Sequence, residues 1–401
     1  MKKYIIITPS ISRYGGSKLY TKNKKEFMQS QGWEVYVFSA WNTDIRIPGL
    51  EPYENMGFPE IVKPICLYSK RFVQSKLSYM ADIVGEFEEC VIETHEVAST
   101  TWGEMLAEKL KAKHLMYLLA ENVKSEARRF RELGKFKLDR GEFRSSHAET
   151  IMRFFEEGQY TLEQSRQYNL KCLLNIGLED DRPSAFEDDI DSSKLVIGVF
   201  SRLDKKCIPN TFQELKKFFQ NHAQIQGQVV VIGNGDNYTE KDIREAFAGV
   251  TNVEFVFTGN LTPVPTGLIH KIDLAFSLAG CATLLRQCHC VTVTIDATDY
   301  GVIGLFGINT EKNTYRAQEP FQSIESFLDE NWQKIPQLKE LMKQDKFIPA
   351  DVNEIYQAHL DFIYLSDQEK KYFASKKMFR IGGPKTKLKR VLNCLMGDRF
   401  R

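Results

Sequence analysis

The sequence predicts an α/β protein built from two Rossmann-like, doubly wound domains. Short apolar segments alternate with amphipathic ones over the first three quarters of the chain, which is typical of parallel strands joined by helices. At 401 residues the chain is long enough for two domains. Residues 179–191 hold seven acidic residues and one proline with no apolar period, which indicates a linker. We therefore predict domains at 1–190 and 191–354, followed by a helical, basic C-terminal segment at 355–401.

Polar side chains follow two predicted strands of the first half. The predicted strands lie at about 4–8, 33–38, 90–94, 114–119 and 173–176, and residues 40–80, rich in Pro and Gly, are predicted to be irregular. His95 and Glu121 both fall at predicted strand ends, where catalytic groups collect in open α/β sheets. Either residue is a candidate to contact substrate, and a structural role is the alternative for both.

A glycine pair, Gly15 and Gly16, lies between the first strand and the first helix. It places backbone N–H groups at a helix N-terminus, which favours an anion or sugar hydroxyls. The alternative is that the two glycines only make a tight turn.

The second half opens with a βαβ unit at 194–236. Its first strand ends in a loop with three cations, Arg202, Lys205 and Lys206, and its second strand ends in Gly233-Asn234-Gly235. Both loops fall at the carboxyl ends of parallel strands, where such sheets bind ligands. Cations beside glycines suit a diphosphate. An ordinary βαβ unit with solvated cations is the alternative.

Three further strand ends of this half carry small or polar residues. They are Thr258-Gly259-Asn260, Gly280-Cys281-Ala282-Thr283 and Asp296. Random surface loops would carry bulkier and more mixed side chains. Five consecutive strand-end loops of this kind therefore predict a nucleotide site, with room for phosphates and a ribose, at this edge of the sheet.

Composition and charge indicate a cytoplasmic protein with a basic end. The eight cysteines show no paired spacing, as in reduced proteins, and the N-terminal apolar run is too short for a signal peptide. From Lys370 to Arg401 eleven Lys and Arg face one acidic residue, and the last segment has the apolar spacing of an amphipathic helix. That helix either docks on the first domain or contacts acidic lipid at the inner face of the plasma membrane. Nucleic acid is disfavoured because no recognition motif accompanies the charge.

The layout resembles the GT-B glycosyltransferases, whose two domains face each other across a cleft, and family 4 in particular. Six short stretches are similar to that family's motifs: Tyr14-Gly15-Gly16, Asn175 to Glu179, Ser201-Arg202-Leu203 with Lys205-Lys206, Val231 to Gly235, Phe257-Thr258-Gly259 and Gly280 to Thr283. The overall layout covers residues 1 to about 300, and the specific motifs lie mostly in 175–300.

The resemblance implies a retaining transferase that moves a sugar from a nucleoside-diphosphate sugar to a saccharide or lipid-linked acceptor. Bacterial surface polysaccharide synthesis (capsule, O-antigen or exopolysaccharide) is the implied setting. Arg202 with Lys206, or Lys205, would neutralise the donor diphosphate, and Gln287 would bond the ribose. His95 and Glu121 would be candidates for the acceptor's base. We expect no cofactor and no metal ion, since no Asp-x-Asp motif follows a strand.

Two departures from the family pattern keep alternatives open. Ala279 and Gln287 stand where the family carries two glutamates, and Ser201 stands in place of a glycine. One alternative is a non-catalytic nucleotide-sugar-binding or scaffold protein of a polysaccharide assembly complex. Another is a sugar-nucleotide epimerase of the same fold, which needs a carboxylate and histidine set that the sequence does not assemble.

Overall fold

The computed structural model describes residues 1–9, 11, 15–40, 47, 49–50, 58–119, 123, 126–172, 178–179, 185–316, 319–348 and 351–380. By its internal contacts the chain divides into two compact units. The first comprises residues 1–175 with 350–401, and the second comprises residues 176–349.

The first unit is built on a five-stranded parallel sheet in the spatial order β2-β1-β3-β4-β5. Its strands are β1 (Lys2–Thr8), β2 (Glu34–Ser39), β3 (Glu89–Thr94), β4 (Lys113–Leu118) and β5 (Phe143–Ser145). Every residue of β1 after Lys2 is buried, because a parallel sheet is covered on both faces. The central strand pair, β1 with β3, places Ile7 opposite Thr94.

Six helices of the first unit connect these strands or follow them. They are α1 (Gly16–Ser30), α2 (Lys70–Val84), α3 (Val97–Leu110), α4 (Arg128–Asp139), α5 (Ala148–Phe154) and α6 (Leu162–Arg166), with short 3₁₀ turns at Pro59–Val62 and Ile65–Leu67. The prediction of irregular structure up to residue 80 is wrong for α2. The Ser69 hydroxyl accepts a hydrogen bond from the Phe72 amide at 3.1 Å and caps this helix. Val73, Leu77 and Met80 bury one face of it.

The second unit contains a six-stranded sheet in the order β13-β12-β11-β7-β8-β9, and a two-stranded ladder of β6 with β10. The strands are β6 (Leu178–Glu179), β7 (Leu195–Phe200), β8 (Gly227–Ile232), β9 (Val253–Gly259), β10 (Val264–Pro265), β11 (Leu274–Ser277), β12 (Thr292–Ile295) and β13 (Val302–Leu305). Only β13 among these runs antiparallel to its neighbour in the six-stranded sheet.

Helices of the second unit pack on this sheet through aromatic and aliphatic faces. They are α7 (Cys207–Asn221), α8 (Glu240–Ala246), α9 (Thr266–His270), α10 (Gly280–Gln287), α11 (Ile324–Asn331) and α12 (Ile335–Lys343), with a 3₁₀ turn at Trp332–Lys334. The amphipathic segment after the cationic loop is α7, which buries Phe212, Leu215, Phe218 and Phe219.

The acidic segment before residue 190 belongs by its contacts to the second unit, whereas the sequence analysis placed it in the first domain. Leu178 pairs with Val264 in the two-stranded ladder. Ile190 is buried in a core cluster of the second unit, and Phe186 packs against the same cluster. Apolar residues within this acidic stretch therefore attach it to the second unit.

The described part of the C-terminal segment packs on the first unit, through α13 (Val352–Tyr364) and α14 (Ser375–Met378). Lys113 Nζ donates to the Ile363 carbonyl at 2.6 Å, and Arg140 forms an ion pair with Asp367 at 2.7 Å. Docking on the first domain was one of the two predicted alternatives. The predicted amphipathic basic helix, 385–401, lies outside the described residues. Within the described ranges, no helix combines the length and apolar character needed to cross a membrane.

Candidate functional site

The chain reverses its direction of sheet growth at β7. From β7 it proceeds to β8 and β9 on one side, and later strands β11 and β12 add on the other side. In open α/β sheets a ligand site forms outside the carboxyl ends of the strands at this switch point. The loops after β7 and β11 are the two that meet there, and both were predicted to bind phosphate.

Backbone hydrogen bonds hold the cationic loop against the glycine loop. Ser201 N donates to the Ile232 carbonyl at 3.1 Å, and Leu203 N donates to the Asn234 carbonyl at 3.1 Å. Leu203 is buried, whereas Arg202 and Lys206 are exposed and Lys205 is half-buried. The loop is therefore anchored by one apolar side chain and presents its charges outward.

The three cations of this loop have no ion-pair or hydrogen-bond partner for their side chains among the described residues. Elsewhere in the same unit, cations such as Arg286 and Lys194 are paired with carboxylates. Three unpaired positive charges on one short loop are arranged to attract an anion.

Glycine is required in the loop after β8 because backbone atoms approach it closely. A Cβ at position 233 would lie 1.9 Å from the Ser201 carbonyl oxygen, and one at 235 would lie 2.6 Å from the Tyr238 carbonyl oxygen. Asp204, which the sequence analysis did not single out, organises the same loop. Its Oδ1 accepts from the amides of Asp236 and Asn237 at 2.9 and 2.8 Å.

The first turn of α10 is open to a ligand. Helix α10 begins without a side-chain cap, and a Cβ added to Gly280 would meet no atom within 4 Å. Burial raises the pKa of the Cys281 thiol, and the charges of Lys205 and Arg202 oppose that rise, which places both cations near this turn. Uncapped amides at a helix N-terminus beside cations are an arrangement that favours an anion.

The other predicted residues of the second unit lie around this edge, except for Gln287. The Thr258 hydroxyl donates to the Val231 carbonyl at 3.3 Å, and a Cβ on Gly259 would be 3.9 Å from Asn234 Nδ2. Asn260 is half-buried in the following loop. The Thr283 hydroxyl accepts from Asn313 Nδ2 at 3.2 Å. Gln287 is half-buried at the last residue of α10, about 10 Å from Gly280 along the helix.

In the first unit Gly15 and Gly16 stand at the start of α1. The Gly15 carbonyl accepts from the amides of Lys18 and Leu19, both at 3.0 Å, and no side chain caps this helix. The glycine pair thus leads directly into a helix N-terminus, as predicted. Tyr14 and Glu121 lie outside the described residues, as do residues 175–177 of the turn motif, so their roles stay predictions.

His95 lies in the interior of the first unit, with 1% of its surface exposed. Its Nε2 bonds Glu93 Oε1 at 3.0 Å. Glu93 is fully buried and also accepts from the hydroxyls of Tyr4 and Tyr20 at 2.6 and 2.7 Å, and Lys24 lies 3.5 Å from its Oε2. His95 is therefore part of a buried charged network, which fits a supporting role better than direct contact with a substrate.

Glu96, the next residue, is one that the sequence analysis did not select as a site residue. It is half-buried between β3 and α3, and none of the described residues pairs with its carboxylate. Its backbone φ is 73°, a left-handed value that is unusual for glutamate. The sequence signal was its position directly after His95 at a strand end.

Neither protein-family models nor curated protein sequences match this chain. Solved structures do match it over nearly its whole length. A glycosyltransferase from Rickettsia africae is 14% identical with a TM-score of 0.53, covering 94% of this chain and 96% of that chain. The sucrose-phosphate synthase of Thermosynechococcus elongatus is 15% identical with a TM-score of 0.52, covering 91% and 100%. Anabaena HepE, solved with UDP and glucose, is 12% identical with a TM-score of 0.50, covering 90% and 99%.

The chain has the GT-B fold. The predicted fold class, two Rossmann-like units with a helical C-terminal region, is confirmed by these similarities. At such low identity they show the fold alone, so the assignment to family 4 stays a prediction. Among the described residues no group of three or more His, Cys, Asp or Glu side chains is placed to hold a metal ion.

Proposed function

We propose that this protein is a glycosyltransferase that transfers a sugar from a nucleoside-diphosphate sugar to a saccharide or lipid-linked acceptor. The observation that carries the proposal is a set of three cations, Arg202, Lys205 and Lys206, that pair with none of the described residues and lie beside the open first turn of α10. HepE, which shares the fold, was solved with UDP and glucose. Synthesis of a bacterial surface polysaccharide is the setting we propose, from the resemblance to family 4.

The second unit would act on the leaving group. As the bond between the sugar and the diphosphate breaks, negative charge grows on the diphosphate. Arg202 with Lys206 or Lys205 would stabilise that charge, helped by the backbone N–H groups of Gly280 to Thr283. Fixed cations and a helix N-terminus supply the positive charge that a metal ion supplies in other transferases, so we propose a metal-independent reaction. Retention of configuration rests on the resemblance alone.

A thermal-shift screen with UDP, GDP, CMP and dTDP and their sugars tests the donor site. A donor at 100 times its Kd should stabilise the protein by about 2.7 kcal/mol. Arg202→Ala should weaken binding by about 10- to 100-fold, since a hydrogen bond to a charged group contributes about 1.5–3 kcal/mol. Lys241→Ala is the matched control, because Lys241 is an exposed cation on α8 of the same unit. If no nucleotide shifts the melting temperature, the donor site is wrong.

A non-catalytic nucleotide-sugar-binding protein is the second candidate, favoured by Ala279 where family 4 carries a glutamate. Release of nucleoside diphosphate from the donor that binds separates the two. Turnover that Arg202→Ala abolishes supports the enzyme. Tight donor binding without turnover, with water or with a panel of p-nitrophenyl glycosides as acceptors, supports the binding protein.

We also propose that the basic segment at 370–401 contacts acidic lipid at the inner face of the plasma membrane. Lys370, Lys371, Lys376 and Lys377 lie in its described part. Electrostatic attraction of this kind contributes about 1 kcal/mol per cation near an anionic surface. Sedimentation with anionic vesicles at low salt, and its absence with neutral vesicles, is the expected result.

A further inference from the structure

The turn between β3 and α3 is strained at Glu96. Its φ of 73° and ψ of 151° fall in a backbone region that is populated almost entirely by glycine. Such strain clusters at functional sites, and glycine would remove it at this position. A glutamate in a glycine conformation therefore points to a use for its side chain.

Hydrogen bonds fix the backbone of this turn. The Glu96 carbonyl accepts from the hydroxyls of Ser99 and Thr100 at 3.0 and 2.9 Å and from the Thr100 amide at 3.2 Å. His95 N donates to the Ile7 carbonyl of the neighbouring strand at 3.0 Å. The base of the Glu96 side chain is thus held at one place on the carboxyl edge of the sheet.

A buried network supports the same turn from inside the unit. Burial alone would raise the pKa of Glu93, but the charge of Lys24 and the hydrogen bond from His95 outweigh it, and the pKa lies well below its usual range. Because ionised Glu93 can only accept, His95 carries its proton on Nε2. Lys24 Nζ lies 3.1 Å from Nδ1 of His359 on α13, so the C-terminal helix completes the network.

The Glu96 carboxylate is half-buried at this edge. Burial raises its pKa, and the charges of His95 and Lys18 oppose that rise. Burial also raises the pKa of Glu126, and the charge of Glu96 adds to that increase. A carboxylate that is more basic than usual and has no partner among the described residues is suited to accept a proton.

We propose that Glu96 binds the nucleophilic hydroxyl of the acceptor and takes its proton during transfer. This inference rests on the proposed glycosyltransferase function and replaces His95 and Glu121 as the favoured base. His95 and Glu93 are positioning residues that hold the strand end from which Glu96 projects.

The step is balanced as follows. The acceptor O–H bond breaks and its proton moves to a carboxylate oxygen of Glu96. The oxygen's electron pair forms the bond to the anomeric carbon of the donor sugar on the face from which the diphosphate departs, as the proposed retention of configuration requires. The bond from that carbon to the diphosphate oxygen breaks, and its electron pair leaves on the diphosphate. Glu96 then returns the proton to water.

The experiment compares wild type, Glu96→Gln and His95→Gln in the full-length protein. The readout is release of nucleoside diphosphate from the donor found by thermal shift, with p-nitrophenyl glycosides as acceptor probes. For Glu96→Gln we expect kcat to fall about 10²- to 10⁴-fold while the Kd of the donor stays unchanged. Wild-type activity should fall at low pH as the base is protonated, and this fall should be absent from the residual activity of Glu96→Gln. His95→Gln should retain the fall at low pH, because the imidazole does not take the acceptor's proton in the proposed step.

Glu96→Gly provides a second readout that a structural role would not give. Removing the side chain leaves space in which formate can act as an external base, so added formate should restore transfer by Glu96→Gly and have no effect on Arg202→Ala. Full activity of Glu96→Gln, or no rescue of Glu96→Gly by formate, would overturn the role of Glu96 and leave the transferase standing. A wild type that turns over no donor would overturn the proposed function and, with it, this role.

Discussion

Two strand-to-helix turns, one in each unit, hold a non-glycine residue at positive φ, and they differ in the side chain they present. Glu96 precedes α3 with a φ of 73°, and Ala279 precedes α10 with a φ of 55°. The first turn presents a carboxylate, whereas the second presents only a methyl group. Both turns lie at the carboxyl edge of a parallel sheet, so the comparison separates what the backbone of such a turn does from what its side chain does.

The two turns also differ in the groups that hold them in place. A fully buried carboxylate, Glu93, with Lys24 lies behind the first turn. The second turn is held by Asn313, whose carbonyl accepts from Ala279 N at 2.6 Å. In the proposed reaction the second turn would act through backbone N–H groups beside cations, which needs no acid at position 279. The first turn would act through the Glu96 side chain, with a buried charged network behind it.

Acid should destabilise the network behind the first turn. Burial lowers the pKa of His359 to about 3, so this histidine stays neutral in the folded protein and gains a proton on unfolding below about pH 6.5. Its contribution is complete above pH 6.5 and is lost as the pH falls toward 3, by at most about 5 kcal/mol. Between pH 6.5 and 5 the free energy of unfolding should fall by about 1 kcal/mol less per pH unit in His359→Gln than in wild type, since the unfolded histidine is only half protonated at pH 6.5.

Hydrogen exchange of α1 and β3 in urea, measured across this pH range, reports on the first unit. His114, whose pKa burial lowers to about 4, gives a second contribution of the same sign, and His114→Gln measures it separately. Equal pH slopes in wild type and His359→Gln would contradict a neutral His359 at the end of the network.

Removing the carboxylate of Glu93 should destabilise the first unit by about 3–5 kcal/mol, because Lys24 would remain buried without its counter-charge. The double variant Glu93→Gln/Lys24→Met is the matched control, since it removes both charges at similar volume and should recover most of the loss. Urea unfolding of the two variants measures the difference. Equal stability of the single and double variants would show that Lys24 is not the source of the cost.

Glycine at the two turns should separate strain from function. Glu96→Gly and Ala279→Gly should each raise the free energy of unfolding by about 1 kcal/mol, because glycine adopts a positive φ without strain. The greater backbone entropy that glycine loses on folding offsets only part of this gain. Only Glu96→Gly should lose transfer activity. Urea denaturation with an activity assay checks both parts, and a stabilised Ala279→Gly that is inactive would mean that the second turn also acts through its side chain.

The pattern of the sequence was sufficient to predict where the strands end, but not the long-range contacts that hold the loops at those ends. The cation and glycine positions after β7 and β8 were predicted from the residue types at strand ends. The structure places the loop after β7 at the switch point, with the loop after β8 hydrogen-bonded to it. The helix α2 was missed because Pro and Gly earlier in the same region hid the Val73, Leu77 and Met80 spacing that follows Ser69. The predicted domain boundary differs from the observed one for a similar reason. The acidic composition of the segment does not show that Ile190 and Phe186 attach it to the second unit.

The first turn was the part least visible in the sequence. His95 was selected because it follows a strand, but its burial depends on Lys24 and His359, which lie far away in the chain and show no common pattern with it. A positive φ at Glu96 leaves no compositional signal, because glutamate is not the residue that such a backbone predicts. Long-range packing and backbone strain thus decided which of two adjacent polar residues is accessible.

The smallest expected difference concerns the hydroxyls that hold the first turn. Thr100→Val keeps the β-branched shape but removes the hydroxyl that donates to the Glu96 carbonyl at 2.9 Å, while the amide of residue 100 keeps its bond to the same oxygen. We expect a loss of about 0.5–1 kcal/mol in the free energy of unfolding. The equivalent change at the second turn, Asn313→Ala, removes side-chain contacts to Thr283 and Ala279 and should cost a similar amount.

If the turn positions the Glu96 carboxylate, Thr100→Val should also lower kcat for transfer. Asn313→Ala should leave kcat unchanged, because the Asn313 carbonyl still holds Ala279 N. A loss of stability in Thr100→Val without a change in kcat would mean that the strained backbone alone is enough to aim Glu96.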